Sequence, residues 1–297
     1  MGTRKYLVVG ATGKQGGSVV SALQSLSPSF PIHIFALTRS VSSPRAQSLA
    51  ADPNVSVIAG DPSTLETVFS QIGTGIDGVF CMTVPGQKAR EEDQAKAFID
   101  ASIKYRVKHF VFTSGDRGGP GKSDNNPTNV PNLKSKHAIE VYLKAQAEGR
   151  MAWTILRPTT FMDMLSTDTH GKGFGRLWAG LGEKPLQIIS TRDIGHFGAE
   201  ALLKPDQYNG KARSIAGDEL SFEEASKIFQ EETGHQMPLA PCIVGSGLKL
   251  LVGDLGAMFG WLRTDGYGVD ITGLRKEYPG LQTFRQWIQE SSGWRKH

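Results

Sequence analysis

Residues 5–20 read KYLVVGATGKQGGSVV: a short apolar run, then glycines at positions 10, 13, 16 and 17. An apolar run that ends on glycine is a buried strand turning sharply, because glycine adopts backbone angles that a side chain forbids. Ser18-Val19-Val20-Ser21-Ala22-Leu23 then reads as a helix. Strand, glycine turn and helix N-terminus together make an anion site. The helix dipole and the unpaired N–H groups of the first turn favour a pyrophosphate there. A tight βα turn with no ligand needs similar glycines, so the motif takes its meaning from its context.

That context is alternation. Strand-like runs at 6–9, 32–37, 55–59, 78–82, 107–112 and 152–156 are separated by helical stretches at 16–26, 65–72, 91–105 and 133–147. Strands joined by helices of ten or more residues require parallel crossovers, hence a doubly wound α/β sheet. After Pro158 the rhythm changes to short irregular pieces, with the glycine-rich 171–175 among them. A capping box, Ser221-Phe222-Glu223-Glu224, opens a helix carrying Ala225, Ile228 and Phe229, and 283–288 is amphipathic. The division this suggests is a dinucleotide-binding domain over 1–158 and a smaller α/β lobe over 159–297, partly interleaved with the sheet.

Composition narrows the classes. A chain of 297 residues with 39% hydrophobic and 21% charged residues builds a substantial core in one or two lobes. The net charge of +4 comes from 33 basic against 29 acidic residues. That excess is scattered, and the densest cluster, 294–297, reads as a solvated tail, so direct nucleic-acid binding is not expected. Cys81 and Cys242 lie far apart in apolar surroundings and read as reduced buried thiols. The seven histidines show no metal-ligand spacing, so no metal is expected. The most membrane-like stretch, 241–262, is interrupted by Lys249 and Asp254 and reads as a buried or pocket-lining helix. The expectation is an intracellular protein with no membrane segment.

The stretch after the second strand selects the dinucleotide. NAD sites place an acid there for the ribose 2′-OH. Here the sequence runs Leu37-Thr38-Arg39-Ser40-Val41-Ser42-Ser43-Pro44-Arg45, and the first acid is Asp52. A carboxylate would repel a 2′-phosphate, whereas a guanidinium meets it with a fork of donors. Arg39 is the primary candidate and Arg45 the second. The expected cofactor is NADP(H).

These residues resemble the NmrA-like family of atypical short-chain dehydrogenase/reductases. The likeness rests on Gly10, Thr12, Gly13, Lys14, Gln15, Gly16 and Gly17, on Thr38-Arg39, Gly60-Asp61 and Ser190–Gly195. It continues through Met258–Trp261, Gly266-Tyr267, Asp270-Ile271, Leu274-Arg275 and Tyr278-Pro279. The resemblance implies a Rossmann domain with NADP(H) along the glycine motif and Thr38. It places Asp61 near the adenine, Thr83 near the middle of the cofactor, and Lys136 near the nicotinamide ribose. The family holds NADPH-dependent reductases and also dinucleotide-sensing regulators that act through protein partners, in the cytoplasm or the nucleus.

The usual short-chain reductase couples Ser, Tyr and Lys in Y-x-x-x-K, with the tyrosine as acid. Here Asn132 occupies the tyrosine position four residues before Lys136, and Tyr142 lies beyond it, so that triad is broken. Ser114 stands where the usual serine does. In one reading Lys136, or a water it polarises, supplies the proton while Ser114 or Thr83 orients the substrate oxygen. In a second, Lys136 only grips the ribose, and in a third it is one of several solvated helix lysines, with Lys134 and Lys144 close by. Phe161, Met162, Phe174, Trp178, Met258, Phe259 and Trp261 either line an apolar cleft for a small substrate or pack as core. Asp193 and His196 either reach that cleft or brace the lobe.

Overall fold

A computed structural model describes residues 2–26, 29–83, 88–241 and 253–295. The chain runs β1 (Arg4–Val9), α1 (Lys14–Ser25), β2 (Ile32–Thr38), α2 (Pro44–Ala50), β3 (Val55–Ala59), α3 (Leu65–Ile72), β4 (Gly78–Cys81) and α4 (Lys88–Lys104). It continues through β5 (His109–Thr113), α5 (Pro120–Ser123), α6 (Pro131–Ala147), β6 (Ala152–Pro158), β7 (Thr160–Phe161) and α7 (Thr169–Ala179). Next come β8 (Leu186–Ile189), α8 (Thr191–Leu203), α9 (Pro205–Tyr208), β9 (Lys211–Ile215), β10 (Asp218–Leu220) and α10 (Phe222–Thr233). The last described elements are α11 (Gly253–Thr264), α12 (Ile271–Glu277) and α13 (Phe284–Glu290).

Two compact units interleave along this chain. The first takes Met1–Ser114, Ser135–Arg157 and Ile194–Arg213; the second takes Gly115–Lys134, Pro158–Asp193 and Ser214–His297. The division therefore does not fall at one point near 158. Its physical reason in the first unit is α8, which returns to α1 at very close range. A β-carbon on Gly195 would lie 2.5 Å from the Ser18 carbonyl carbon, so only glycine allows this crossing.

The first unit is built on a seven-stranded sheet in the order β3-β2-β1-β4-β5-β6-β9. β1 pairs parallel with β2 and β4, and the ladders β2–β3, β4–β5 and β5–β6 are parallel too. This is the doubly wound α/β sheet that the alternation implies. Its strands are near-continuous apolar runs because helices cover both faces. Leu7, Leu37, Val79, Phe110 and Phe112 from the strands join Val68, Ile99, Ile139 and Leu143 from the helices in one core.

The second unit has its own core and a small sheet ordered β10-β8-β7. Of the residues read as cleft lining or core, Met162, Phe174, Trp178, Phe259 and Trp261 are buried in that core, and Met258 packs against it. Phe161 lies half-buried in β7. Core packing therefore accounts for most of this aromatic set. Segment 171–175, expected to be irregular, is helical within α7. Asp168 caps it, accepting from the amides of His170 and Gly171. The glycines reflect close packing rather than a loop: a β-carbon on Gly175 would lie 2.2 Å from the Pro238 carbonyl oxygen. The capping box at Ser221 and Glu224 forms as the sequence implies. Cys242, Lys249 and the 242–252 part of the apolar stretch lie outside the described residues, as do 296 and 297 of the basic tail. Among the described residues, no helix is long and apolar enough to cross a membrane, and no cluster of His, Cys, Asp and Glu could hold a metal ion.

Asp193 is a brace in this second unit. Its Oδ2 accepts from Ser190 Oγ at 2.8 Å and from the Gln282 amide at 3.0 Å. Its Oδ1 is buried without a partner among the described residues. Burial pushes the carboxyl up to about 6, against the opposing hydrogen bonds from Ser190 and Gln282. Because the folded pKa lies above the unfolded one, the folded state holds this proton longer. Stability therefore falls as pH rises from about 4 to about 6, by roughly 3 kcal/mol, and is flat in this term beyond that window. Denaturant unfolding of Asp193→Asn is expected to lack this fall, so that the variant gains on the wild type across the window; parallel pH curves would contradict the assignment.

Candidate dinucleotide site at the strand ends

The sheet reverses its winding between β1 and β4, and ligands in such sheets sit at the carboxyl ends of the strands at that point. The glycine loop joins β1 to α1 there. Gly10 has φ +67°, an angle that L side chains rarely adopt. A β-carbon on Gly16 would lie 2.3 Å from the Gly10 carbonyl oxygen and 2.9 Å from that of Val9, so the first turn of α1 presses directly on the end of β1. Gly13 is the N-cap residue, offers no side-chain cap, and no acid occupies the first turn. Bare amides at a helix start, with no carboxylate in competition, form a cradle that fits a diphosphate. Gln15 extends from this turn to the end of β5, where its Oε1 accepts from Thr113 Oγ1 at 3.0 Å.

The loop is tied to β2 by Thr12 and Thr38, whose hydroxyls lie 3.0 Å apart. Arg39 follows, exposed at the strand end. Arg45, in the first turn of α2, lays its guanidinium over the glycine loop. The position of a Gly17 β-carbon is 2.8 Å from its Nη2, so glycine there makes room for the arginine. Two cations thus stand beside the loop, and the segment between β2 and α2 contains no acid. Asp61 turns inward to its own chain, accepting from the Ser63 amide at 2.7 Å and hydroxyl at 2.6 Å. Those bonds, with the charge of Arg39 behind them, hold its carboxyl below the ordinary range.

Beyond the loop lies a buried charged cluster. Lys136, on α6, is 6% exposed, and Glu91, in the first turn of α4, is 2% exposed. Lys136 Nζ stands 2.9 Å from Glu91 Oε1 and also donates to Thr83 Oγ1. The Thr83 hydroxyl in turn donates to Glu91 Oε1 at 2.7 Å. The lysine lies 5.4 Å from the centroid of the Phe112 ring. Cys81 is buried nearby; desolvation pushes its thiol up to about 12 despite the lysine charge, so it is inert as a nucleophile.

A second buried network supports Ser114. Its Oγ donates to Glu140 Oε1 at 2.5 Å, and Arg157 binds the same carboxylate through Nε at 3.1 Å and Nη2 at 2.6 Å. Arg157 is fully buried. Asn132 sits in the first turn of α6, and Tyr142 directs its hydroxyl to Asp100 on α4 at 2.9 Å, so neither supplies the acid of the usual triad. His196 pairs with Glu200 one helical turn on, at 3.6 Å.

Sequence reasoning named Lys136, Thr83 and Ser114 but missed Glu91, Glu140 and Arg157. One signal was present: Leu133, Lys136, Glu140, Leu143 and Ala147 share a stripe of α6 spaced three and four apart. Two charges in an otherwise apolar, inward stripe demand buried partners. The identity of those partners depends on which strands end beside the helix, which periodicity does not encode.

Fold and loop together define a Rossmann-type dinucleotide-binding protein. A family model described as NmrA-like family matches residues 2–240. The NAD(P)H azoreductase of Xenophilus azovorans is 31% identical over 232 residues, covering 77% of this chain and 73% of the relative. The NmrA-like family domain-containing oxidoreductase malD of Malbranchea aurantiaca is 26% identical over 79% of this chain and 74% of its own. Among solved structures, Citrobacter sp. triphenylmethane reductase complexed with NADP(H) matches 96% of this chain and 99% of its own at TM-score 0.74 and 18% identity. Nmra, a negative transcriptional regulator, matches 98% and 96% at TM-score 0.69 and 19% identity. The chain belongs to the NmrA-like family.

Two substitutions test this geometry. Gly16→Ala drives a methyl into backbone oxygens and is expected to cost roughly 1–3 kcal/mol in denaturant unfolding. Glu140→Gln leaves Arg157 buried beside a neutral partner and is expected to cost roughly 3–5 kcal/mol. Wild-type stability in either variant would mean that the close approach or the buried pair is misplaced.

Proposed function

We propose that this protein binds NADP(H) along the glycine loop and reduces a small, largely apolar carbonyl or activated-alkene substrate. The observation that carries the reading is the buried Lys136–Thr83–Glu91 cluster at the strand ends. Buried ion pairs cost several kcal/mol in desolvation and contribute little net stability, so their position at a ligand-binding edge points to chemistry. The naming of several curated relatives as oxidoreductases supports it. The diphosphate sits on the bare amides of α1, and Arg39, with Arg45 beside it, meets the 2′-phosphate.

When bound, the reduced cofactor supplies a hydride, and this chain must then manage one proton. Ser114 and Thr83 have already committed their hydroxyl hydrogens, to Glu140 and Glu91. With those hydrogens committed, each hydroxyl can act toward a further group only as an acceptor, as Thr83 does toward Lys136. Lys136 has three N–H donors, two of them directed to Thr83 and Glu91. The third is the donor this cluster holds for a ribose hydroxyl or a substrate oxygen. Lys136, or a water it polarises, therefore carries the role that tyrosine has in the usual reductase.

A second reading is favoured by Asn132, which removes the usual acid. In it, the protein binds the dinucleotide without turnover and signals its redox state to a regulatory protein partner. Turnover separates the two. In the reductase reading, NADPH oxidation with a panel of quinones, aldehydes, enones and azo compounds finds a substrate, and Lys136→Ala lowers that rate about 100-fold. No turnover with any acceptor, alongside clearly different affinities for the oxidised and reduced forms, supports the sensor, because only differential binding shifts a protein's state. Arg39→Asp is expected to weaken NADPH by about 30-fold, roughly 2 kcal/mol, and to leave NADH nearly unchanged. Equal NADPH affinity in calorimetry would remove Arg39 from the site.

A further inference from the structure

Glu91 has no role in binding the phosphates or donating a proton, yet it is buried against the one lysine of the strand-end cluster. Its oxygen lies 2.9 Å from Lys136 Nζ and accepts the Thr83 hydroxyl at 2.7 Å. Thr83 lies two residues past β4, Glu91 in the first turn of α4 and Lys136 on α6, so three separate parts of the chain converge to hold one neutral pair. A lysine serving only as a hydrogen-bond donor could keep its charge and take a neutral partner. Here the charge is cancelled instead.

We propose that Glu91 sets the redox preference of the site: by cancelling the Lys136 charge, it lets the oxidised and reduced cofactor bind with similar strength. This rests on the NADP(H)-binding reading above. The two cofactor forms differ by one positive charge, carried on the nicotinamide ring of NADP⁺ and absent from NADPH. A neutral pair is nearly indifferent to that difference, whereas a lone ammonium repels the oxidised form. Two unit charges within about 10 Å at an effective dielectric near 20 change an equilibrium by about tenfold or more. The consequence fits a reductase, which must take up NADPH and then release NADP⁺ without being trapped in either complex. Glu91 acts through Lys136 and is a positioning residue.

The test is a charge cycle read by calorimetry with NADP⁺ and NADPH, on full-length wild type, Glu91→Gln, Lys136→Met and the double variant. The measured quantity is the ratio of the NADP⁺ Kd to the NADPH Kd. Glu91→Gln is expected to raise this ratio about tenfold or more, and Lys136→Met to lower it, since a lone carboxylate attracts the nicotinamide cation. The double variant, neutral again, is expected to return to within about threefold of wild type. Mere loosening of the fold would weaken both forms alike and leave the ratio in place. Should Glu91→Gln fail to fold, the Lys136→Met and double-variant arms still decide the matter. An unchanged ratio in the folded single variants overturns the inference while leaving the binding reading intact. Wild type that binds neither form overturns the binding reading, and this inference falls with it.

Discussion

The first turn of α1 rests on the end of β1 with no atom to spare: a β-carbon at position 16 would lie 2.3 Å from the Gly10 carbonyl oxygen. This missing atom is the constraint on which the site depends. It fixes the helix axis against the strand end and leaves the amides of the first turn without a side-chain cap. The other features of the site stand around that helix start. Thr12 and Thr38 lock the loop to β2, Gln15 reaches the end of β5, and the cations of Arg39 and Arg45 stand on the β2 side. An anion is the one ligand that satisfies amides, dipole and guanidinium groups together.

At the ends of β4 and β5 the chain does something different and more costly. It buries two carboxylates, a lysine and an arginine among the ends of apolar strands. Each charge is matched: Lys136 to Glu91 with Thr83 bonded to both, and Arg157 to Glu140 with Ser114 as a third member. Such clusters rigidify their neighbours, because an unpaired member would be strongly unfavourable. The result is a rigidly held lysine and two hydroxyls at the strand ends.

Much of this was legible in the sequence, for a physical reason that differs by element. Parallel strands between helices leave a periodic record, so the doubly wound sheet, the glycine loop and the boundaries of most strands could be read directly. Absence is also a record, and the lack of any acid between Thr38 and Asp52 pointed to a phosphorylated ribose. The α7 glycines misled because close packing and turning use the same residue, and only the Pro238 backbone distinguishes them. The aromatic set of the second unit was ambiguous for a similar reason: a core and an apolar cleft draw on the same side chains. Glu91, Glu140 and Arg157 were missed because tertiary pairing, rather than spacing along the chain, makes them partners.

The central claim is that amides bared by missing side chains hold the diphosphate of NADP(H). A crystal structure of the protein grown with NADPH tests it most directly. The account predicts diphosphate density within hydrogen-bond distance of the main-chain nitrogens at the start of α1, with the 2′-phosphate against Arg39. Dinucleotide density at another place on the chain, or a glycine loop left empty at saturating NADPH, would contradict it.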